Sequence, residues 1–331
     1  MSVFSHPEVI QLISEAFVPV ADNCSYTQTQ PDAKGEFFRL VAEQGHYGGR
    51  TKPTATRQGL YACTAEGELL ASINTRDADG VLEMMQQALD KWHQRPIFST
   101  QRNVPESYEP APGYRWEYPD GGLILKVSVR DLPRESPVTE LPNAKGEADA
   151  QHNLDHAWFT KKEASAMVPA EIQAGQSYPA PEIFVQRIAR FHLVDTVRGE
   201  SPRLGAEDVK KAEMTLTVKN ATADRVNLRL EGEVRNDAPP SFDVNPFSGQ
   251  AVDKGRGVDL RLLGYLHYDR QQEEFDRFDM IAAGQRWGAT TYNGRFDDLG
   301  PAPIGFAFEL APNSPIDRTP PQAIRSDYFG V

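Results

Sequence analysis

Two runs in the second half of the chain alternate apolar and polar residues without a break: Met214-Thr215-Leu216-Thr217-Val218 and Val226-Asn227-Leu228-Arg229-Leu230-Glu231-Gly232-Glu233-Val234. A two-residue period sends successive side chains to opposite faces of a strand, so each run has one apolar face and one wet face. Half-polar strands of this kind suit an antiparallel sheet with one solvated side, not the doubly apolar strands of a parallel one. Residues 260–269, 275–283 and 304–310 read as further strands, and 265–269 with 275–279 read as a hairpin closed by Gln271-Gln272-Glu273-Glu274. An earlier hairpin is expected from 114–118 and 123–129 around Pro119-Asp120-Gly121-Gly122. Residues 131–150 and 235–257 read as long loops, and helices are expected at 160–167 and 180–189. Thr160 caps the first of these, with Glu163 completing the capping box. The expected product is a mainly antiparallel β domain, a sandwich or a partly open barrel, carrying a few helices.

The first third has a different rhythm. Apolar residues at three- and four-residue spacing predict helices over 7–17, 32–44 and 79–92. Between them, 18–22, 59–64 and 69–73 read as strands, the last two joined by Ala65-Glu66-Gly67-Glu68. Pro96, Pro105, Pro110 and Pro112 punctuate a connector. The fold class is therefore α+β: a module over 1–95, a linker over 96–113 and the β-rich domain over 114–331.

Composition narrows the functions. Asp and Glu number 47 against 35 Lys and Arg, a formal charge of −12. Such a surface repels phosphate backbones, so nucleic acid is not expected as a partner. No apolar stretch reaches the roughly 18 residues of a membrane span, so no membrane partner is expected either. The opening Met1-Ser2-Val3-Phe4-Ser5-His6-Pro7-Glu8 lacks the basic and apolar regions of a signal peptide. A cytoplasmic location is expected, or a periplasmic one if an upstream export segment has been removed.

The segments Pro7-Glu8-Val9 through Phe17-Val18-Pro19-Val20, and Thr56-Arg57-Gln58-Gly59-Leu60-Tyr61 through Ala65-Glu66-Gly67-Glu68-Leu69-Leu70, resemble divergent bacterial thioredoxin-like modules. With its second domain the chain is similar to a bacterial two-domain family whose N-terminal thioredoxin-like module has lost Cys-x-x-Cys. The resemblance covers somewhat over a quarter of the chain. It implies a degenerate thioredoxin-like α/β module. Where the fold would carry its first strand and dithiol there is only Met1 to His6, and Arg57-Gln58 stand where the active-site cis-proline is expected. Disulfide exchange needs a low-pKa thiolate and a resolving partner. Cys24 and Cys63 form neither that motif nor a zinc framework. They read as two reduced, mostly buried thiols, with one disulfide or one reactive thiol in a redox role as the sharper alternative.

Three sets of residues could carry chemistry. His152 and His156, four apart, would share a face if their segment were helical, but it reads as loop. His192 and His267 sit in apolar segments with Asp195 and Asp269 close behind; each is a core histidine satisfied by its aspartate, or part of a metal site. That site would combine His156, His192, His267 and Asp269, or Asp279 in its place, and suit zinc, copper or iron. Asp276 and Asp279 face opposite sides of a strand, which suggests ion pairs with Arg270 or Arg261 and not a catalytic carboxylate pair. Gly284-Gln285-Arg286-Trp287-Gly288 and Thr291-Tyr292-Asn293-Gly294-Arg295 read as a loop in which Trp287 and Tyr292 stack a ligand while Arg286 or Arg295 holds an anion, or as a structural loop pinned by tryptophan. No nucleotide-binding glycine loop or serine-hydrolase elbow is present.

These residues support two functions. One is a non-redox binding or scaffold protein whose β-rich domain takes a small-molecule or protein ligand, its first module packing, dimerising or recruiting. The other is a metal-dependent oxidoreductase built on the histidines.

Overall fold

The computed structural model describes residues 3–22, 24–46, 57–75, 77–95, 118–134, 152–199, 201–240, 255–290, 293, 295, 296, 298–312, 314–322 and 327–330. The chain divides into two units, Met1–Trp116 and Glu117–Val331. The expected linker over 96–113 lies outside the described residues.

The first unit contains helices α1 (Pro7–Ala16), α2 (Cys24–Thr27) and α3 (Ala33–Glu43), strands β1 (Leu60–Cys63) and β2 (Leu69–Ile73), and helix α4 (Ala78–Gln94). Aspartates start two of the helices: Asp32 accepts from the Gly35 amide and Asp77 from the Gly80 amide, each satisfying a donor of the first turn. β1 and β2 pair antiparallel across a turn in which Gly67 takes φ 85°, a backbone open to glycine at no steric cost. Val9 of α1, Ala62, Leu70 and Ala71 of the hairpin, and Val81, Met84, Met85 and Ala88 of α4 form one core. The strand expected over 18–22 is absent: Val18 is 90% and Val20 84% exposed. Pro19 denies the segment a ladder donor, and with no apolar neighbour to cover them two valines do not make a strand.

In the second unit β3 (Leu123–Asp131), β4 (His152–Phe159), β5 (Ser177–Pro179), β6 (Val209–Ala221), β7 (Arg225–Ala238), β8 (Arg256–Asp269), β9 (Glu274–Trp287) and β10 (Ala302–Leu310) form one antiparallel sheet. Its order is β4-β3-β10-β9-β8-β7-β6-β5. Strands adjacent in sequence are thus paired in the sheet, and β3 pairs with β10; among the described residues the one break in this cycle is between β4 and β5. That is the connectivity of an up-and-down barrel left unpaired at one seam.

The stretches on either side of β5 carry α5 (Lys161–Ser165), α6 (Glu182–Arg187) and a π-helical turn over Ile188–His192. Thr160 and Glu163 make the expected capping box at the start of α5. Ala164, Phe184, Val185, Ile188 and Ala189 join the core formed by the inward side chains of the strands, and Phe184 meets Phe159 and Phe278 at ring distances of 5.1 and 6.1 Å.

Several expectations are corrected. The strand expected over 114–118 to pair with β3 lies, but for Tyr118, outside the described residues; β3 pairs with β4 on one edge and β10 on the other. Residues 152–159, expected as loop, are a strand, and the loop expected to start at 235 belongs to β7 as far as Ala238. Residues 284–287 complete β9 and are not loop. Among the described residues no helix is long and apolar enough to cross a membrane.

Candidate functional site

The two-residue alternation that builds the core changes chemistry at one end of the sheet. Val234 on β7 is followed in the same register by Asn236, Val129 on β3 by Asp131, and Ala282 on β9, past Gly284, by Arg286. On β8, Arg256 shares that side, because its cross-strand partner is Ala238. All four lie at the same end, as the pairs Ala238↔Arg256, Ala302↔Arg286 and Ile304↔Asp131 require. The inner side of the sheet is therefore apolar along its length and polar at one end, its mouth.

An ion network closes one side of that mouth. Arg295 is fully buried and grips two carboxylates: Asp131 at 2.7 Å, and Asp195 through both Nε and a terminal nitrogen. Arg286, also fully buried, donates to the Asp298 carboxylate and, at 2.5 Å, to the Asp298 carbonyl. Asp298 also pairs with Arg134 at 2.7 Å and with Arg198 at 3.4 Å. Burial alone would lower the Arg295 guanidinium, but the charges of Asp195 and Asp131 outweigh it and hold it above its ordinary value. Burial would raise the Asp298 carboxyl, yet Arg134 and Arg286 hold it below the ordinary range. Arg286 is depressed by desolvation and then by the nearby Arg295 charge.

Beside this network lies a recess of about 20 Å³, lined among others by Asp195, Ser201, Asn236, Arg256, Trp287 and Asn293. Asn236 is fully buried. Its amide nitrogen donates to the carbonyls of Ala189, at 2.9 Å, and Leu193, at 3.3 Å, at the end of the π-helical turn. Those two acceptors fix the amide's orientation, because the flipped amide would set oxygen against oxygen. Its Oδ1 is thereby turned away, buried and without a hydrogen-bond partner. Arg256 Nε is likewise buried without a partner. Its NH1 makes one long bond, 3.4 Å, to the Pro202 carbonyl. Trp287 closes over Gly257, where an added Cβ would stand 2.6 Å from the indole. Asn293 is not free for a ligand: its oxygen accepts from the Thr290 amide at 2.9 Å.

A second polar cluster fixes the C-terminal segment. Arg187, fully buried, grips Glu163 at 2.7 and 2.8 Å and donates to the carbonyls of Tyr328 and Trp158. The Tyr328 hydroxyl accepts from the Trp158 amide at 3.0 Å and lies 2.7 Å from His192 Nε2, while His192 Nδ1 lies 3.2 Å from Asp155. A carboxylate can only accept, so Nδ1–H donates to Asp155 and Nε2 accepts a hydrogen bond from the tyrosine hydroxyl. Burial pushes the Tyr328 hydroxyl far up, and the hydroxyl stays protonated. The order carboxylate, imidazole, hydroxyl is that of a nucleophile triad. Here the hydroxyl is sealed in the core, and the three groups act as a latch.

The histidines do not converge. His192 pairs with Asp155 on the core side; His156 sits on the other face of β4 and faces Asp317 at 3.6 Å; His267 points outward from β8 toward Asp276 at 4.0 Å. β4 and β8 are four strand spacings apart, on the order of 19 Å. Asp269 caps the β8–β9 turn by accepting from the Gln271 and Gln272 amides, and Asp195 belongs to Arg295. His152 and His156, on a strand, stand about 13 Å apart. Among the described residues no group of three or more His, Cys, Asp or Glu is placed to hold a metal ion.

Asp276 pairs with Arg225, and Asp279 with Arg277 at 2.5 Å. Of the four residues expected to hold a ligand, Trp287 lines the recess, Arg286 and Arg295 face internal carboxylates, and Tyr292 lies outside the described residues. In the first unit Cys24 and Cys63 are half-buried and not joined in a disulfide, and burial raises the Cys63 thiol. His46 Nδ1 lies 2.9 Å from Ser72 Oγ, which also accepts from the His46 amide at 3.0 Å. That pair ties the end of α3 to the hairpin.

Sequence reasoning missed Asn236 and Arg256. Their signal is present: both fall in the inward register of strands whose other inward residues are apolar.

No known family, curated protein or solved structure matches this chain.

Proposed function

We propose that this is a non-redox binding protein whose second unit takes a small polar ligand at the polar mouth of its sheet. The observation that carries this reading is the recess itself, where Asn236 Oδ1 and Arg256 Nε are buried without partners. A buried polar group left unpaired costs about 1–3 kcal/mol. Such a cost in a site otherwise closed by matched ion pairs favours a group that arrives from outside. Mouths of barrel-like sheets are common ligand sites, and a π-helical turn beside one is frequent at functional positions.

In this reading the first unit is a thioredoxin-like module without a dithiol, serving packing or recruitment. The direction of the Cys63 shift supports that, since a redox thiol is lowered and this one is raised.

The test uses the four tryptophans, whose indole N–H signals are resolvable by nuclear magnetic resonance. Trp287→Phe assigns its own signal. A panel of small acids, amines, amides, polyols and sugars is then added to the full chain. Movement of the Trp287 signal alone, saturating with concentration, is the expected result. A panel that moves no tryptophan signal overturns the proposal.

A further inference from the structure

Resting on that reading, we infer that the ligand is a small anion, a carboxylate or an oxyanion of similar shape, with a hydrogen-bond donor one or two atoms from its charge. Three arginines at the same mouth differ in how they are answered. Arg286 and Arg295 each face carboxylates. Arg256 does not: among the described residues it forms no ion pair, and its Nε has no acceptor. Arg286 and Arg295 are fully buried, whereas Arg256 is half-buried with its Nε out of solvent, and a buried donor is ordinarily paired. Arg256 has Asp208 only as a more distant opposite charge, and desolvation lowers its guanidinium. A guanidinium is a planar fork of donors that matches two oxygens side by side, the geometry of a carboxylate.

The second element is Asn236 Oδ1, held as an acceptor by the π-turn carbonyls. Asn236 faces Val258 across the ladder and Ala238 faces Arg256, so the two polar residues are diagonal neighbours on one side of adjacent strands. Their Cα atoms are roughly 7–8 Å apart, a span that one short molecule bridges. It would present oxygens to Arg256 and an O–H or N–H to Asn236.

The third element is size. A recess of about 20 Å³ takes about one water-sized group, so only the donor bound by the fully buried Asn236 enters it, and the charged head lies at its opening against the half-buried Arg256. Asp195 also lines the recess, but its oxygens are occupied by Arg295. It screens against a second negative charge and favours a monoanion.

The experiment titrates four probes into the full chain and tracks the Trp287 indole signal: glycolate, acetate, glycolamide and ethylene glycol. Glycolate is expected to bind, acetate about tenfold more weakly for want of the donor, and the two neutral probes not at all; a lost hydrogen bond of about 1.4 kcal/mol corresponds to that factor. Arg256→Gln is expected to abolish the response to both anions, and Arg256→Lys to restore part of it. Arg256→Gln loses one long backbone bond, so it keeps the fold, and an unchanged amide spectrum elsewhere verifies this. Glycolamide binding as well as glycolate, with Arg256→Gln indifferent, would overturn the anion while leaving a ligand site standing. If neither these probes nor the broader panel moves Trp287, both readings fall together.

Discussion

Arg295 shows what a buried charge does in this chain. It has no exposure, yet it is among the best-satisfied groups in the second unit because Asp131, Asp195 and Asp298 surround it. Removing it strands carboxylates in a dry site, which costs more than the ion pairs contribute net. Arg295→Met is therefore expected to destabilise the second unit by about 3–5 kcal/mol, read as a lower urea midpoint at unchanged slope. A loss below 1 kcal/mol would mean that water reaches Asp195 and Asp131. Asn236 differs, because it is half satisfied. Asn236→Leu removes two bonds to the π turn and also an unpaired oxygen, so the terms oppose and a net loss of about 1 kcal/mol is expected. Glycolate binding by this variant should nevertheless weaken, which separates a ligand role from a purely structural one.

At the scale of elements, the open seam between β4 and β5 is where a sheet with this connectivity needs help. Unpaired strands leave core surface to be covered, and α6 contributes Phe184, which packs between Phe159 of β4 and Phe278 of β9. Phe184→Ala should cost about 3–5 kcal/mol by thermal or urea unfolding. Thr160→Ala, losing only the cap of α5, should cost about 1 kcal/mol. The long strands were legible because each alternates by itself: Val226 to Val234 declares its face without knowing its neighbours. β4 was not, because His152-Asn153-Leu154-Asp155-His156 has no apolar side until Ala157, and it becomes a strand through pairing with β3. The partner of β3 was unreadable for a related reason. Its neighbour β10 lies more than 170 residues away in the chain, and nothing local encodes that contact. At the candidate site, Trp287 stood out as an aromatic among polar residues. Asn236 and Arg256 did not, since a polar residue in the inward register is noticed only once the strand's full length and facing are known. The histidines misled through proximity in sequence: Asp195 and Asp269 come soon after them, but their acids are Asp155 and Asp276, brought in from other strands.

Across the whole molecule the charges divide into two populations that respond differently to solvent. Exposed pairs such as Lys211 with Glu233 ride on an acidic surface of formal charge −12 and are weakened by salt. Glu163, Asp298 and Asp327 are instead held low from within: burial opposes each, and Arg187, Arg134 with Arg286, and Arg203 respectively outweigh it. A carboxyl whose folded pKa is depressed stabilises the fold fully above its unfolded value, about 4, and that contribution disappears as pH falls through the folded pKa. Stability of the second unit is therefore expected to hold level from about pH 8 to 5 and to drop steeply below about pH 4, as Glu163, Asp298 and Asp327 are protonated. The surface population would give a different curve, since neutralising an acidic excess relieves repulsion and would raise stability on mild acidification. Urea unfolding across this range, in low and in 1 M salt, distinguishes them: the acid drop should persist in high salt, because buried pairs are poorly screened. Glu163→Gln combined with Asp298→Asn should lower stability at pH 7 and flatten the drop. An acid profile that disappears in 1 M salt would place the control of stability on the surface and not in the buried arginine clusters.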